Sequence, residues 1–317
     1  MLRTENPKRP QTVDDLLDAA LVAQLSRVDI HSRKIFRGKL QGERRSKKRG
    51  ESVEFADHRP YVAGDDLRHV DWNIYGRLDR LFLKLFMEEE DLSLHLVLDC
   101  SGSADCGSPN KFAFMQRAAM ALGYIGLVNL NRVSATAIAS SQDDNGDGTG
   151  VLTSVRNLRG RRRVHELGRW MCSLEPGGDL PFTEACKRIA LSRTGRGVMV
   201  VLSDLLIKEG YEDGLRLLTG RGYDLVVLQV LSPQELEPDA AGGVAGDLRL
   251  RDVEDRDHAE VTISAPLLKR YKKVVEAYMR QARLFCAARE ITHLGVRSDT
   301  PIDTLLMDYL RKRGVLR

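Results

Sequence analysis

The amino-acid sequence predicts an α/β protein built on a doubly wound, mostly parallel sheet of Rossmann type, with N- and C-terminal elaborations. Three observations carry that expectation. Two short apolar runs, LSLHLVLD at 92–99 and GVMVVLSD at 197–204, each end in an aspartate. Around them, segments of strand length alternate with segments of helical length and period, as parallel strands covered on both faces require. Finally, 42% hydrophobic and 30% charged residues over 317 positions supply a sizeable core beneath a heavily charged surface.

The elements follow in order. Residues 12–26 fit a short amphipathic helix, with Thr12 as cap three residues before Asp15 and Leu16, Leu17, Ala20 and Leu21 on one face. A basic stretch at 33–49 precedes SVEFADHRPYVAGDDLRHVDW, where Pro60 and Gly64 favour loops and turns, and 81–86 has the look of a strand. Residues 1–90 thus form a basic, mixed N-terminal lobe. The α/β domain spans 91–235, with strands at 92–99, 133–139, 151–155, 197–204 and 224–231 and helices at 111–130, 162–173, 182–193 and 211–219. Residues 236–317 form a C-terminal block: a hairpin pairing 248–252 with 260–263, a long helix at 266–290 whose apolar residues recur every three or four, a strand near 292–296 and a helix at 303–313.

Charge narrows the classes of function. Lys+Arg 49 against Asp+Glu 45 leaves a net charge of +4, too little to mark a nucleic-acid binder by itself. No apolar run reaches the roughly 18 residues of a membrane span, and the start of the chain has no apolar signal region, so a cytoplasmic location is expected. The five cysteines are scattered without a CxxC, which supports neither a disulfide framework nor a structural zinc site. There is no HExxH and no GxxxxGK[ST], so any ATPase work belongs to a partner.

Asp99, Ser101 and Ser103 follow the first apolar run directly. A carboxylate and two hydroxyls spaced two apart on a turn leaving a strand can converge on one hard cation. Asp204 ends the second run, and in open α/β sheets ligands bind outside the carboxyl ends of strands. A cation site is expected there, with Asp204 touching the ion directly or through water. The plainer alternative is a hydrogen-bonded turn that satisfies the strand ends.

The strand–DCSGS–helix unit with the later VVLSD resembles a von Willebrand factor A domain and its metal-ion-dependent adhesion site. Glu54-Phe55, Arg59-Pro60-Tyr61, Gly64-Asp65-Asp66-Leu67-Arg68 and Asp71-Trp72-Asn73 sharpen this into a resemblance to the bacterial family called domain of unknown function 58. The C-terminal LRLRDVED and VRSDTPIDTLLMDYLRKRG resemble that family too. The resemblance implies a metal site of Asp99, Ser101, Ser103 and Asp204, with a middle threonine just after a Gly-Gly pair. Here Asp179 follows Gly177-Gly178 and Thr183 lies one helical turn later, so either completes the set, with Thr183 preferred. It further implies Mg²⁺ (or Mn²⁺ or Ca²⁺) and a non-enzymatic adaptor that accompanies a MoxR-type AAA+ ATPase in chaperone-like assembly or maturation, binding acidic side chains of the ATPase or of a client protein.

Rival readings rest on other residues. Asp65, Asp66, His69 and Asp71 could supply a base or second metal to a metal-dependent phosphatase or nuclease. Arg68, Arg77 and Arg80 make a structural salt-bridge network the stronger reading of that cluster. Asp143-x-Asn145-x-Asp147-Gly148 opens like a calcium loop, but Ser154 stands where the bidentate Glu belongs. The basic stretches at 33–49 and 159–163 carry scant interleaved aromatics, Phe36 alone, which disfavours nucleic acid and leaves a solvated face or a dock for an acidic partner. Cys100 and Cys106 read as small buried hydrophobes.

Overall fold

The computed structural model describes residues 9–32, 55–63, 65, 67, 70–86, 92–140, 151–177, 180–192, 196–220, 223–238, 246–251 and 258–317. The calcium-like turn at 143–148, the basic stretch at 33–49, Asp66, His69 and Asp179 fall outside these residues. The chain packs as two units, Met1–Lys39 with Leu92–Arg317, and Leu40–Asp91. Residues 9–32 and the C-terminal block therefore belong with the α/β layer, where the sequence suggested a three-part division at 90 and 235.

The first unit opens on two short helices, α1 (Val13–Leu16) and α2 (Ala19–Leu25), rather than one. Thr12 and Asp15 form the expected capping box, the Asp15 carboxylate accepting from Thr12 N–H at 2.9 Å. Leu17 is extended, and Asp18 starts a new helix by accepting from Leu21 N–H at 2.7 Å. Asp29 and Arg317 exchange backbone hydrogen bonds of 3.0 and 2.9 Å, which ties this segment to the chain's far end.

The second unit holds β1 (Phe55–Pro60), α3 (Trp72–Leu78) and β2 (Phe82–Phe86), with β1 and β2 antiparallel. β1 lies where loops were expected. Pro60 closes that strand instead of excluding it, since proline is tolerated at strand ends. Asp71 caps α3, its Oδ1 accepting from Asn73 N–H (2.9 Å) and Ile74 N–H (3.2 Å).

The remaining elements are β3 (Ser93–Asp99), α4 (Lys111–Val128), β4 (Arg132–Ser140), β5 (Val151–Leu158), α5 (Val164–Ser173), α6 (Phe182–Ser192), β6 (Gly197–Ser203), α7 (Glu212–Thr219), β7 (Tyr223–Leu231), α8 (Pro233–Leu236), the antiparallel hairpin β8 (Gly246–Arg251) and β9 (His258–Ile263), α9 (Ala265–Ala287), and β10 (Thr292–Arg297), followed by a π-helical segment at Thr304–Leu310. Six strands form one sheet in the order β10-β7-β6-β3-β4-β5, all parallel except β5, which runs antiparallel to β4. The expected α/β class and mostly parallel sheet are therefore present. The closing strand near 292 is not peripheral; it completes that sheet beside β7. From the β3–β6 boundary the strand order runs outward in both directions, so the sheet has its topological switch point there.

Two cores flank the sheet. Leu94, Leu96 and Leu98 of β3 and Val198, Val200 and Leu202 of β6 face α1, α2, α4 and α5, whereas Val97, Met199 and Val201 face α6, α7 and α9. This alternation is the two-residue period of a strand. α4 is buried almost all round, as an apolar helix between the sheet and further helices should be. At Gly197 a β-carbon would overlap the Ser93 carbonyl, so only glycine allows β6 to start this close to β3. Among the described residues, no helix is long and apolar enough to cross a membrane.

His293 of β10 meets Gln229 of β7, ring Nε2 to Oε1 at 3.0 Å. Burial, with the charges of Arg283 and Arg313 behind it, pulls the His293 pKa down to about 4. The folded state thus holds this ring neutral where the unfolded chain protonates near pH 6.5. Stability from it is complete above pH 6.5 and is lost as pH falls toward 4. Melting is expected to reveal a loss of about 1–2 kcal/mol between pH 7.5 and 5, allowing for partial exposure, and a smaller loss in His293→Gln. Gly197→Ala is expected to lower the melting temperature further than either condition, by a destabilisation of about 3 kcal/mol, because backbone rather than a movable side chain stands in the way.

Candidate metal centre

The switch point places the ends of β3 and β6 side by side. In the parallel register Leu98 is level with Leu202, which puts Asp99 level with Ser203 and Asp204 one residue beyond. Ser203 Oγ donates to Asp99 Oδ2 at 2.6 Å, and Ser101 N–H donates to Asp99 Oδ1 at 2.9 Å. Asp99 therefore accepts from neutral donors only. Burial, and then the nearby charge of Asp204, push its carboxyl above the usual range. Ser101 Oγ and Ser103 Oγ lie 3.0 Å apart. The two hydroxyls share a hydrogen bond at that distance, which is also the spacing of two neighbouring oxygens around an octahedral ion whose bonds are about 2.1 Å long.

The segment ahead of the helix α6 that carries Thr183 is tied to this loop, Gly177 N–H donating to the Cys100 carbonyl at 2.8 Å. Thr183 is the second residue of α6 and half-buried, and no hydrogen bond joins it to Asp99, Ser101 or Ser103. The same helix nevertheless faces the site: burial, and then the Asp99 charge, raise the thiol pKa of Cys186 one turn later. All five cysteines are free thiols. Cys106 donates to the Ser103 carbonyl at 3.1 Å, and burial pushes its thiol up to about 12, so it packs rather than reacts.

Three further acidic side chains border the strand ends, and each has an internal cation. Arg9 donates to Asp105 at 2.6 Å. The Lys111 ammonium, wholly buried at the start of α4, donates to Asp204 Oδ2 and to Glu235 Oε1, each at 2.7 Å. Burial works against the Lys111 charge, but its two carboxylate partners outweigh it and hold its pKa above the ordinary value. Glu235 also closes a capping box on α8 with Ser232. Among the described residues, Asp99 is the one acid of the four that no cation pairs with. Among the same residues, no three His, Cys, Asp or Glu side chains gather as a metal cluster. A donor set here is mixed, one carboxylate with hydroxyls, and it fits a hard divalent ion that keeps several waters.

Sequence reasoning reached Asp99, Ser101, Ser103 and Asp204, and missed Lys111 and Glu235. The available signal was faint: Lys111 opens a helix with almost no polar face, so its charge had nowhere to go but inward. In the second unit, Arg59 holds Asp65, at 2.7 Å, and Arg68 lies outside the described residues. Asp71 is occupied by capping α3 and by His58 Nε2 at 2.9 Å. Both described acids of that cluster thus serve structure.

The model of the family described as "Protein of unknown function DUF58" matches residues 57–281. The uncharacterized protein Rv1480 of Mycobacterium tuberculosis (strain H37Rv) is 25% identical over 312 residues, spanning 95% of this chain and 93% of its own. The uncharacterized protein Mb1516 of Mycobacterium bovis matches to the same extent. Among solved structures, the pilus adhesin SpaC from Lactobacillus rhamnosus GG aligns with a TM-score of 0.44 at 12% identity, over 72% of this chain and 30% of its own. A von Willebrand factor type A protein from Catenulispora acidiphila aligns with a TM-score of 0.32 at 14% identity, over 61% of this chain and 43% of its own. The family match covers well over half of the sequence, and the chain belongs to the DUF58 family.

Proposed function

We propose that the protein is a non-enzymatic, cytoplasmic adaptor that uses a divalent cation to hold acidic side chains of its partners. The observation that carries this reading is Asp99: a buried carboxylate, unmatched by any cation among the described residues, beside two hydroxyls at octahedral-edge spacing. Asp99, Ser101 and Ser103 would hold the ion, with Thr183 or Asp179 completing the set from the neighbouring loop. Mg²⁺ is the preferred ion by ligand type, with Mn²⁺ or Ca²⁺ as substitutes. A bound cation supplies a Lewis-acidic position that an outside carboxylate can fill.

The chain's own residues prepare that position. Ser203 and the Ser101 amide orient the Asp99 carboxylate, and the 3₁₀ turn at Gly102–Ala104 presents Ser103 beside Ser101. Hydroxyl ligands fix geometry without cancelling charge, so the ion stays attractive to a guest. The family resemblance supports a MoxR-type AAA+ ATPase as partner, with a client protein as the second acidic surface.

Asp99→Ala is expected to keep the far-ultraviolet circular dichroism and cooperative melting of the wild type while losing Mn²⁺ binding by calorimetry, about a hundredfold or more. Capture of a purified MoxR-type ATPase should fall in parallel, and chelator should reproduce the loss in the wild type. Undiminished capture by Asp99→Ala in chelator would sink the reading.

A further inference from the structure

Lys111 sits at the heart of the site without being part of any ion-binding motif. Stripping an ammonium of water is costly, and it persists only where carboxylates replace the lost hydration. Asp204 and Glu235 do so here, at 2.7 Å each. Strand alternation explains why Asp204 meets this ammonium and Asp99 does not. Val198, Val200 and Leu202 face the core that holds α4, and Asp204 continues their series. Val97 faces the core that holds α6, and Asp99 continues that one. Both Asp204 oxygens are consequently spoken for, Oδ2 by Lys111 and Oδ1 by Leu206 N–H at 2.9 Å. The two strand-end acids have separate employments.

We infer that Lys111 is a positioning residue that withdraws Asp204 from the direct ligand set and cancels its charge, leaving Asp99, with the preferred Thr183 completing the set, as the single anionic ligand. This rests on the cation site proposed above and deepens it. A divalent ion held directly by two carboxylates carries no net charge toward a third. Held by one carboxylate and hydroxyls, it keeps a unit of positive charge and an affinity for acidic guests. Lys111 thereby trades strength of metal binding for selectivity toward carboxylate ligands.

The test uses the full chain with two probes: Mn²⁺, followed by calorimetry and water-proton relaxation, and then a polyglutamate peptide added to Mn²⁺-saturated protein. In Lys111→Met the freed Asp204 should raise Mn²⁺ affinity about tenfold, displace one bound water and lower peptide affinity about tenfold, since ligand charge sets both. The double variant Lys111→Met/Asp204→Asn restores the local net charge, and both affinities should return to within about threefold of wild type. Glu235 keeps its Ser232 donors in either variant. If Lys111→Met does not fold, the double variant, which buries no unpaired Asp204, decides alone. Retained Mn²⁺ binding in it supports the inference, and lost binding makes Asp204 a direct ligand and overturns it. Affinities that fall together in a folded Lys111→Met reduce Lys111 to a brace and also overturn it. A wild type that binds no Mn²⁺ fails the cation site itself and is recognised before any variant is made.

Discussion

The parallel pairing of β3 with β6 is the constraint on which the rest depends. It runs from Ser93 opposite Gly197 to Leu98 opposite Leu202 and requires glycine where β6 begins. This pairing is also where the strand order reverses, so it opens a crevice at the strands' carboxyl ends. The two apolar runs end one residue out of step. That single offset sends Asp99 toward the α6 face and Asp204 toward the α4 face, and gives Ser203 the place beside Asp99. A register in which 99 and 204 were level would have aimed both acids at one face and left Lys111 with Glu235 alone.

Charge balance at the strand ends follows from that geometry. Asp105 has Arg9, and Asp204 and Glu235 share Lys111. These pairs join elements distant in sequence, the N-terminal segment to the loop after β3 and α4 to the ends of β6 and β7, and those of Lys111 are buried. Removing one partner of such a buried pair is far more costly than removing both, because the survivor keeps its charge without its hydration. Asp99 is held differently, by hydroxyl and amide donors that orient a carboxylate without neutralising it. A carboxyl that is buried, oriented and unneutralised is what the cation site proposed above requires.

The fold was legible in the sequence wherever an element buries an apolar face, because burial leaves a period. The runs at 92–99 and 197–204, the hairpin partner of β4 and the long α9 all declared themselves this way. Phe55–Pro60 and Trp72–Leu78 did not, because the small second unit is organised by polar devices: the Asp71 cap, the His58–Asp71 contact and the Arg59–Asp65 pair. Such contacts join residues whose types are common in loops. The helix over 12–26 split for a similar reason, Asp18 offering a second cap in the middle of an otherwise continuous apolar stripe. At the site, Asp99, Ser101 and Ser103 were readable because they adjoin in sequence. Lys111 and Glu235 come together with Asp204 only through the sheet's topology, and no local pattern encodes a contact across 93 or 124 positions.

The loops around these charges are themselves held in place, and that bears on what kind of site they form. Leu205, directly after Asp204, is buried in a left-handed conformation with φ near +60°, which costs a non-glycine residue energy and persists only when its surroundings impose it. Its N–H donates to Ser203 Oγ at 2.9 Å, and the Tyr278 hydroxyl of α9 donates to its carbonyl. Two helical turns earlier on α9, Tyr271 donates to the Glu235 carbonyl at 3.0 Å. One helix face thus braces both of the turns that present acids to Lys111. Because Ca²⁺ tolerates irregular, flexible ligand cages and Mg²⁺ demands a small, regular one, this bracing suits the Mg²⁺ preference of the cation site proposed above. Within this braced turn the Asp204 side chain itself is held by Lys111 and by Leu206 N–H, so the ammonium is the one contact from another element that keeps it from Asp99.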